Sequence, residues 1–202
     1  HNHHVIIYNK PEGEIVSRRD DSGRPTVFQR LHKLHSGRWI AIGRMDINSS
    51  GLLLLTTHGE LANRLMHPAS QIEREYAVRV HGEVSPQMLQ QLVNGVELED
   101  GAARFEEIVE SGGEGTNRWF HVVIMEGRKR EVRRMWEAVG ARVNRLKRVR
   151  FGPVILDSSV KAGRWRTLTR EESSRLLLMA GLGQTVIDPF EPGPGRAKVN
   201  RS

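Results

Sequence analysis

The chain contains no cysteine, so disulfides and thiolate-held metals are excluded, and a reducing compartment is compatible with it. It has no apolar run near the roughly 20 residues that cross a bilayer. Its apolar runs, such as Leu52 to Leu55, are the size of a strand. Its opening residues, His1-Asn2-His3-His4, do not resemble a signal peptide. Acidic residues are outnumbered, 24 against 31 Lys and Arg, leaving a formal charge of +7. A basic balance of this kind suits a polyanionic partner, with RNA, DNA and an anionic membrane surface all open at this level. There is no Walker loop, no dinucleotide glycine fingerprint, no nucleophile elbow, and no D-x-D or H-x-x-E arrangement of metal-binding carboxylates. What remains is an enzyme that works with side chains alone, or no enzyme.

Apolar periodicity supplies the elements. Val5 to Tyr8, Trp39 to Ile42, Leu52 to Thr56, Glu75 to Val80, Arg118 to Met125 and Val143 to Phe151 read as strands. Thr57-x-x-Glu60 reads as a capping box that opens a helix stopping before Pro68. Ser85-Pro86 opens a second helix that Gly95 closes. Val132, Met135, Trp136 and Val139 recur at helical spacing up to Gly140, and Thr169-x-x-Glu172 opens a last helix. Strands outnumber helices without regular alternation, which predicts an α+β fold with a largely antiparallel sheet. Residues 1–182 are expected to form the folded domain. Residues 183–202, rich in Pro, Gly and basic residues, are expected to be a disordered tail.

Two basic clusters stand out. Arg128-Lys129-Arg130-Glu131-Val132-Arg133-Arg134 is one; Arg142, Arg145, Lys147, Arg148 and Arg150 form the other. They flank the Trp136 helix and are expected to lie near each other. A joint patch could neutralise phosphates, or be a solvated face. Membrane binding would need an apolar face beside the basic one, and here that face serves the core. The long loop Gly43 to Gly51, between two apolar strands, is the place where function tends to sit. It carries Arg44 and Asp46, though a lone loop Asp is more often a turn or cap residue.

Four stretches, in order, carry a resemblance. Gly43-Arg44-Met45-Asp46, continuing through Gly51-Leu52-Leu53-Leu54-Leu55-Thr56 to Gly59-Glu60, resembles the G-R-L-D…G-L-L-L-x-T-x-D-G-E signature of RNA pseudouridine synthases. Tyr8-Asn9-Lys10-Pro11-Glu12-Gly13 resembles that family's Y-x-K-P-x-G opening, and Arg74-Glu75-Tyr76 its K/R-x-Y segment. Gly127 through Met135 resembles its G-x-x-x-Q-V-R-R-M segment. The similarity runs from about Val5 to about Leu182 and is to the branch containing the small-subunit enzyme RsuA and its large-subunit relatives. Arg130-Glu131 stands where many members have His-Gln, a variant similar to the 23S rRNA members. Met45 replaces the usual Leu, with little change of volume. The family's N-terminal S4-type RNA-binding domain is expected to be absent from this chain.

The resemblance implies a mixed, mostly antiparallel sheet in two lobes around a central cleft. It implies isomerisation of a uridine to pseudouridine in 23S rRNA, in the peptidyl-transferase region, with no cofactor and no metal. Asp46 matches the essential carboxylate. Arg133 matches the arginine that pairs with it, and Tyr76 the tyrosine that can stack on a flipped uracil. Arg44, Lys10, Arg128, Lys129, Arg130, Arg134, Leu146 and Arg148 are the further candidates for holding RNA. A monomer in the cytoplasm, without membrane contact, is expected. Another rRNA or tRNA site, or a non-catalytic RNA-binding assembly factor on the same fold, stays open at this point.

Overall fold

The computed structural model describes residues 3–20 and 22–192. In chain order its elements are β1 (Val5–Lys10), α1 (Val27–Arg30), β2 (Ile40–Ala41), β3 (Ser50–Thr56), α2 (Gly59–Met66), a 3-10 turn (Pro68–Ser70) and β4 (Arg74–His81). There follow α3 (Pro86–Asn94), β5 (Val96–Leu98), β6 (Gly101–Ala103), β7 (Glu107–Glu114), β8 (Asn117–Ile124) and α4 (Glu131–Ala138). The last are β9 (Arg142–Phe151), β10 (Val154–Ile155), β11 (Trp165–Thr167) and α5 (Arg170–Met179). The class is α+β. The chain divides into two compact units, the first made of the segments up to Gln71 and from Gly152 on, the second of Ile72–Phe151.

In the first unit β1 lies between β11 and β3, and β2 adds to the far side of β3, all antiparallel. Single parallel bridges join His3 to Ile187 and Ile15 to Thr26. Every residue of β1 is buried, and so is all of β3 after Ser50. A strand covered on both faces must be apolar along its whole length, which is why Val5-Ile6-Ile7-Tyr8 and Leu52 to Leu55 run without alternation. Ile6, Tyr8, Leu53 and Leu55 face a core completed by Val27, Trp39, Trp165 and Phe190.

The second unit is a four-stranded antiparallel sheet in the order β9-β4-β8-β7, with the β5-β6 hairpin beside it. One face is apolar. Val78, Val80, Phe120, Val122, Ile124, Val143 and Leu146 pack there against Leu92 of α3 and Val132, Met135 and Trp136 of α4. The Phe120 and Trp136 rings meet at 5.1 Å between centroids. Two register shifts on the β4–β9 pairing, at Glu75/Tyr76 and Arg79/Val80, keep Leu146 and Arg148 buried beside Val78 and Tyr76.

Three expectations are corrected. The cap of α2 is His58, whose Nδ1 accepts from Leu61 N, while Thr57 Oγ1 accepts from His4 N. The disordered tail does not begin at 183. Ile187 bridges His3, Asp188 N donates to His3 O, and Phe190 is buried among Trp39, Trp165 and His32. The rest of that expectation, residues 193–202, lies outside the described residues. The two basic clusters do not form one patch: Leu146 and Arg148 share the α4 side of the sheet, whereas Asn144, Arg145 and Lys147 are exposed. Ser85, Gly95 and Thr169 cap their helices as expected.

Candidate active site

Asp46 sits in the loop between β2 and β3. Ile42 N donates to Leu54 O as the strand ends, and Gly43 then turns the chain with φ of +88°, a value open to glycine at little cost. Ser49 N closes a turn onto Asp46 O at 3.0 Å, and Gly13 N donates to Ile47 O at 2.8 Å. The loop is thus tied from both sides, with Asp46 half-buried and Arg44 exposed. A carboxylate held by backbone bonds on a rigid sheet loses little entropy when it meets a ligand.

Lys10, at the end of β1, is fully enclosed. Its ammonium donates to Pro11 O at 2.9 Å and Glu14 O at 2.8 Å. Burial pushes its pKa down to about 8, while the charges of Glu14, Glu12 and Asp46 act to raise it. The residue expected at RNA therefore exposes no surface for a phosphate. It fastens the Lys10-Pro11 turn to Glu14 and puts its charge within electrostatic reach of Asp46. Glu14 is held in turn by Tyr8 Oη, which donates at 2.5 Å, and by Arg30 at 2.9 Å.

The second unit gathers the other candidates on the α4 side of its sheet. Tyr76 lies opposite Arg148 on β9 and Val122 on β8, half-buried against the core. Arg148 is buried, with its guanidinium 5.4 Å from the Phe151 ring. Arg133, on the inner face of α4, is also buried, and its Nη1 donates to Val143 O at 3.3 Å. Leu146 belongs to the core. Arg74 was not among the expected residues. It stands two positions before Tyr76 on β4, so strand alternation puts it on the same face, and that was the available signal. Burial, and after it the charge of Arg148, hold Arg74 below the usual guanidinium value, while Tyr76 and the charges of Glu131 and Glu126 oppose this. Its Nη1 donates to Ile72 O at 2.8 Å. Buried guanidiniums grouped beside a tyrosine make a region that favours an anion.

The remaining basic candidates differ from one another. Arg128 pairs with Asp100, Glu126 and Glu131, and Arg134 with Asp100 at 2.7 Å. Lys129 and Arg130 are exposed, and Arg130 takes the left-handed conformation (φ +53°) that starts α4. Glu131 is buried and accepts from Arg128 N at 2.8 Å. Burial, and next to it Glu126, push its pKa up to about 7 against the pull of Arg128. Among the described residues no group of three or more His, Asp or Glu could hold a metal ion.

Comparison with known proteins assigns the class. The chain belongs to the RNA pseudouridylate synthase family, whose model matches residues 4–138. More particularly, it is similar to proteins named ribosomal large subunit pseudouridine synthase B. It is 59% identical to that of Pseudomonas aeruginosa over 98% of this chain and 51% of the relative. It is 51% identical to that of Yersinia pestis over 98% of this chain and 63% of the relative. The chain thus spans about half to three-fifths of the length of these curated relatives. A solved structure described as a pseudouridylate synthase superposes with a TM-score of 0.76 at 28% identity, over 87% of this chain and 74% of that one. A chain of the archaeal box H/ACA Nop10-Cbf5 complex, 18% identical with a TM-score of 0.54 over 79% of this chain and 51% of that one, shares the fold.

Proposed function

We propose that this chain is the catalytic region of a ribosomal RNA pseudouridine synthase that acts on a uridine of 23S rRNA. The observation that carries the reading is the 59% identity to a named large-subunit synthase over nearly the whole chain, whose sequence contains Asp46, Tyr76 and Arg133. The peptidyl-transferase region is the part of 23S rRNA proposed as target. The protein acts as a monomer in the cytoplasm, and no helix among its described residues is long and apolar enough to cross a membrane.

The reaction breaks the N1–C1′ bond of uridine and forms a C5–C1′ bond. The hydrogen on C5 leaves and N1 gains a proton, so no electrons enter or leave. Asp46 provides the ionised carboxylate, whether it meets C1′, the base or the 2′ position. Lys10 and the Gly13–Ile47 bond hold the loop that presents it. Tyr76 offers its ring to the extruded base, and Arg133, Arg148 and Arg74 supply positive charge on the same side of the second unit. Removing a paired base from its stack costs a few kcal/mol, which stacking and phosphate contacts offset.

Because C5 must lose its hydrogen, a 23S rRNA transcript labelled with tritium at uridine C5 tests the proposal. Tritium should appear in water with the wild-type protein and not with Asp46→Asn. Release at the same rate from both would remove Asp46 from the reaction. No release by a protein that binds the transcript would remove the activity.

A further inference from the structure

The second unit has another sheet face, opposite the one that carries Tyr76. Its residues follow from the registers. Gly112, Trp119, Arg79 and Arg145 lie in line across β7, β8, β4 and β9, and Val109, His121, Ala77 and Lys147 form the next line. The protein has four tryptophans, of which Trp39, Trp136 and Trp165 are buried. Trp119 is the one left partly open. The Arg79 guanidinium lies 6.0 Å from its ring, and Arg79 Nε donates to Asn144 at 2.8 Å. On the other side its cross-strand neighbour is Gly112, where an added Cβ would meet nothing within 4 Å. One flank of the indole therefore borders open space. Val109, on the same edge, is 50% exposed.

The charge beside this aromatic strip is positive. Arg142, Arg145 and Lys147 are exposed along β9. The carboxylates on the face are Glu75, bound to His121 at 2.9 Å and Arg150 at 3.3 Å, Glu107 on the edge strand β7, and Glu114 at the end of β7, in line with Asn117, His81 and Arg142. Glu73, just before β4, also pairs with Arg150 at 3.1 Å. Among the described residues Arg142 and Lys147 have no carboxylate partner. An open aromatic ring with a row of cations alongside is the arrangement that binds single-stranded nucleic acid. Bases stack on the ring without regard to sequence, and phosphates follow the charge.

We propose that this outer face, built on Trp119, Arg79, Lys147 and Arg142, is a second RNA-binding surface for an unpaired segment of the substrate RNA. It rests on the reading that the substrate is RNA. A face of this kind contributes affinity and orientation rather than chemistry, since no candidate catalytic residue lies on it.

The test uses the whole chain and an oligoadenylate of about ten nucleotides, which offers bases and phosphates but no uridine. Binding should quench tryptophan emission and shield it from iodide, and the change should vanish in Trp119→Phe. Trp119→Ala should weaken binding about 5- to 100-fold, the value of one base stack. The double variant Lys147→Glu/Arg142→Glu should weaken it further and flatten the log–log salt slope by about 0.7 for each phosphate that is no longer neutralised. Unchanged thermal midpoints certify the exposed-site variants as folded. If the wild type binds oligoadenylate and both variants bind within twofold, with the same salt slope, the surface is not used. Failure of the wild type to bind oligoadenylate while it releases tritium from the uridine-labelled transcript also overturns it. Tritium release separately decides the enzymatic reading, so the two failures are told apart.

Discussion

The two units handle charge in opposite ways. In the first, β1 and β3 are buried on both faces, and the polar groups among them are enclosed and satisfied singly: Lys10 on two carbonyls, Tyr8 on Glu14, Asn9 on Val160 O. In the second, β4 and β9 each have one apolar face and one that is largely polar, and charge spreads over both sides of the sheet. On the proposed reading, the contrast separates two requirements of one reaction. A catalytic carboxylate needs a support that does not move. A large polyanion needs many exposed cations. On that reading the twice-covered sheet would provide the first and the half-open sheet the second.

The largest effect that would sharpen this contrast is on stability. Leu53→Ala in β3 should cost about 3 kcal/mol, because the side chain is fully buried and the surrounding strands can collapse little. Lys147→Ala in β9 should stay within about 0.5 kcal/mol. Urea unfolding of both variants gives the comparison, and equal losses would break it.

A smaller effect concerns Glu131. Its pKa is raised from 4.5 to about 7, so the folded state binds a proton that the unfolded state has released. The stability that this contributes is present below about pH 4.5 and is lost as pH rises through 7. Glu131→Gln should therefore raise the thermal midpoint at pH 8, by the equivalent of about 1 kcal/mol, and change little at pH 4.5. A lower midpoint at pH 8 would mean that the Arg128 pairing outweighs the burial.

Lys10 has the opposite sign. Its folded pKa of about 8 lies below its ordinary 10.5, so the unfolded state holds the proton longer. Stability should rise between pH 8 and 10.5, and in Lys10→Met that rise should be absent. The neutral amine keeps two hydrogens for Pro11 O and Glu14 O, so the hydrogen bonds survive the titration. Chemical denaturation across this window measures the effect, and an identical rise in Lys10→Met would assign it elsewhere.

The Asp46 loop was legible in the sequence because continuous apolar runs announced the strands on either side and a four-part motif marked the residues between. The helix caps at Ser85 and Thr169 were legible for a similar reason, since they are local. What escaped was long-range. Strand β7, with the sequence Glu-Ile-Val-Glu-Ser-Gly-Gly-Glu, is almost wholly exposed and exists through its pairing with β8, so it has no apolar pattern to read. The attachment of Arg128 and Arg134 to Asp100 joins residues 28 and 34 positions apart, which no local pattern displays. Phe190 was assigned to a tail because Pro and Gly surround it, yet its ring completes the first unit's core. Lys10 looked like an RNA contact because a lysine in a motif suggests phosphate, whereas its enclosure and its bonds to Pro11 O and Glu14 O leave no local pattern to read.

The most direct measurement is carbodiimide–primer-extension mapping of unmodified 23S rRNA after incubation with the wild-type protein and with Asp46→Asn. Substitution of a carboxylate at the centre of a reaction typically lowers turnover by about 10⁴-fold or more. The account predicts one new stop with the wild type, in the peptidyl-transferase region, and none with the variant. The same stop at equal strength from both proteins would contradict it.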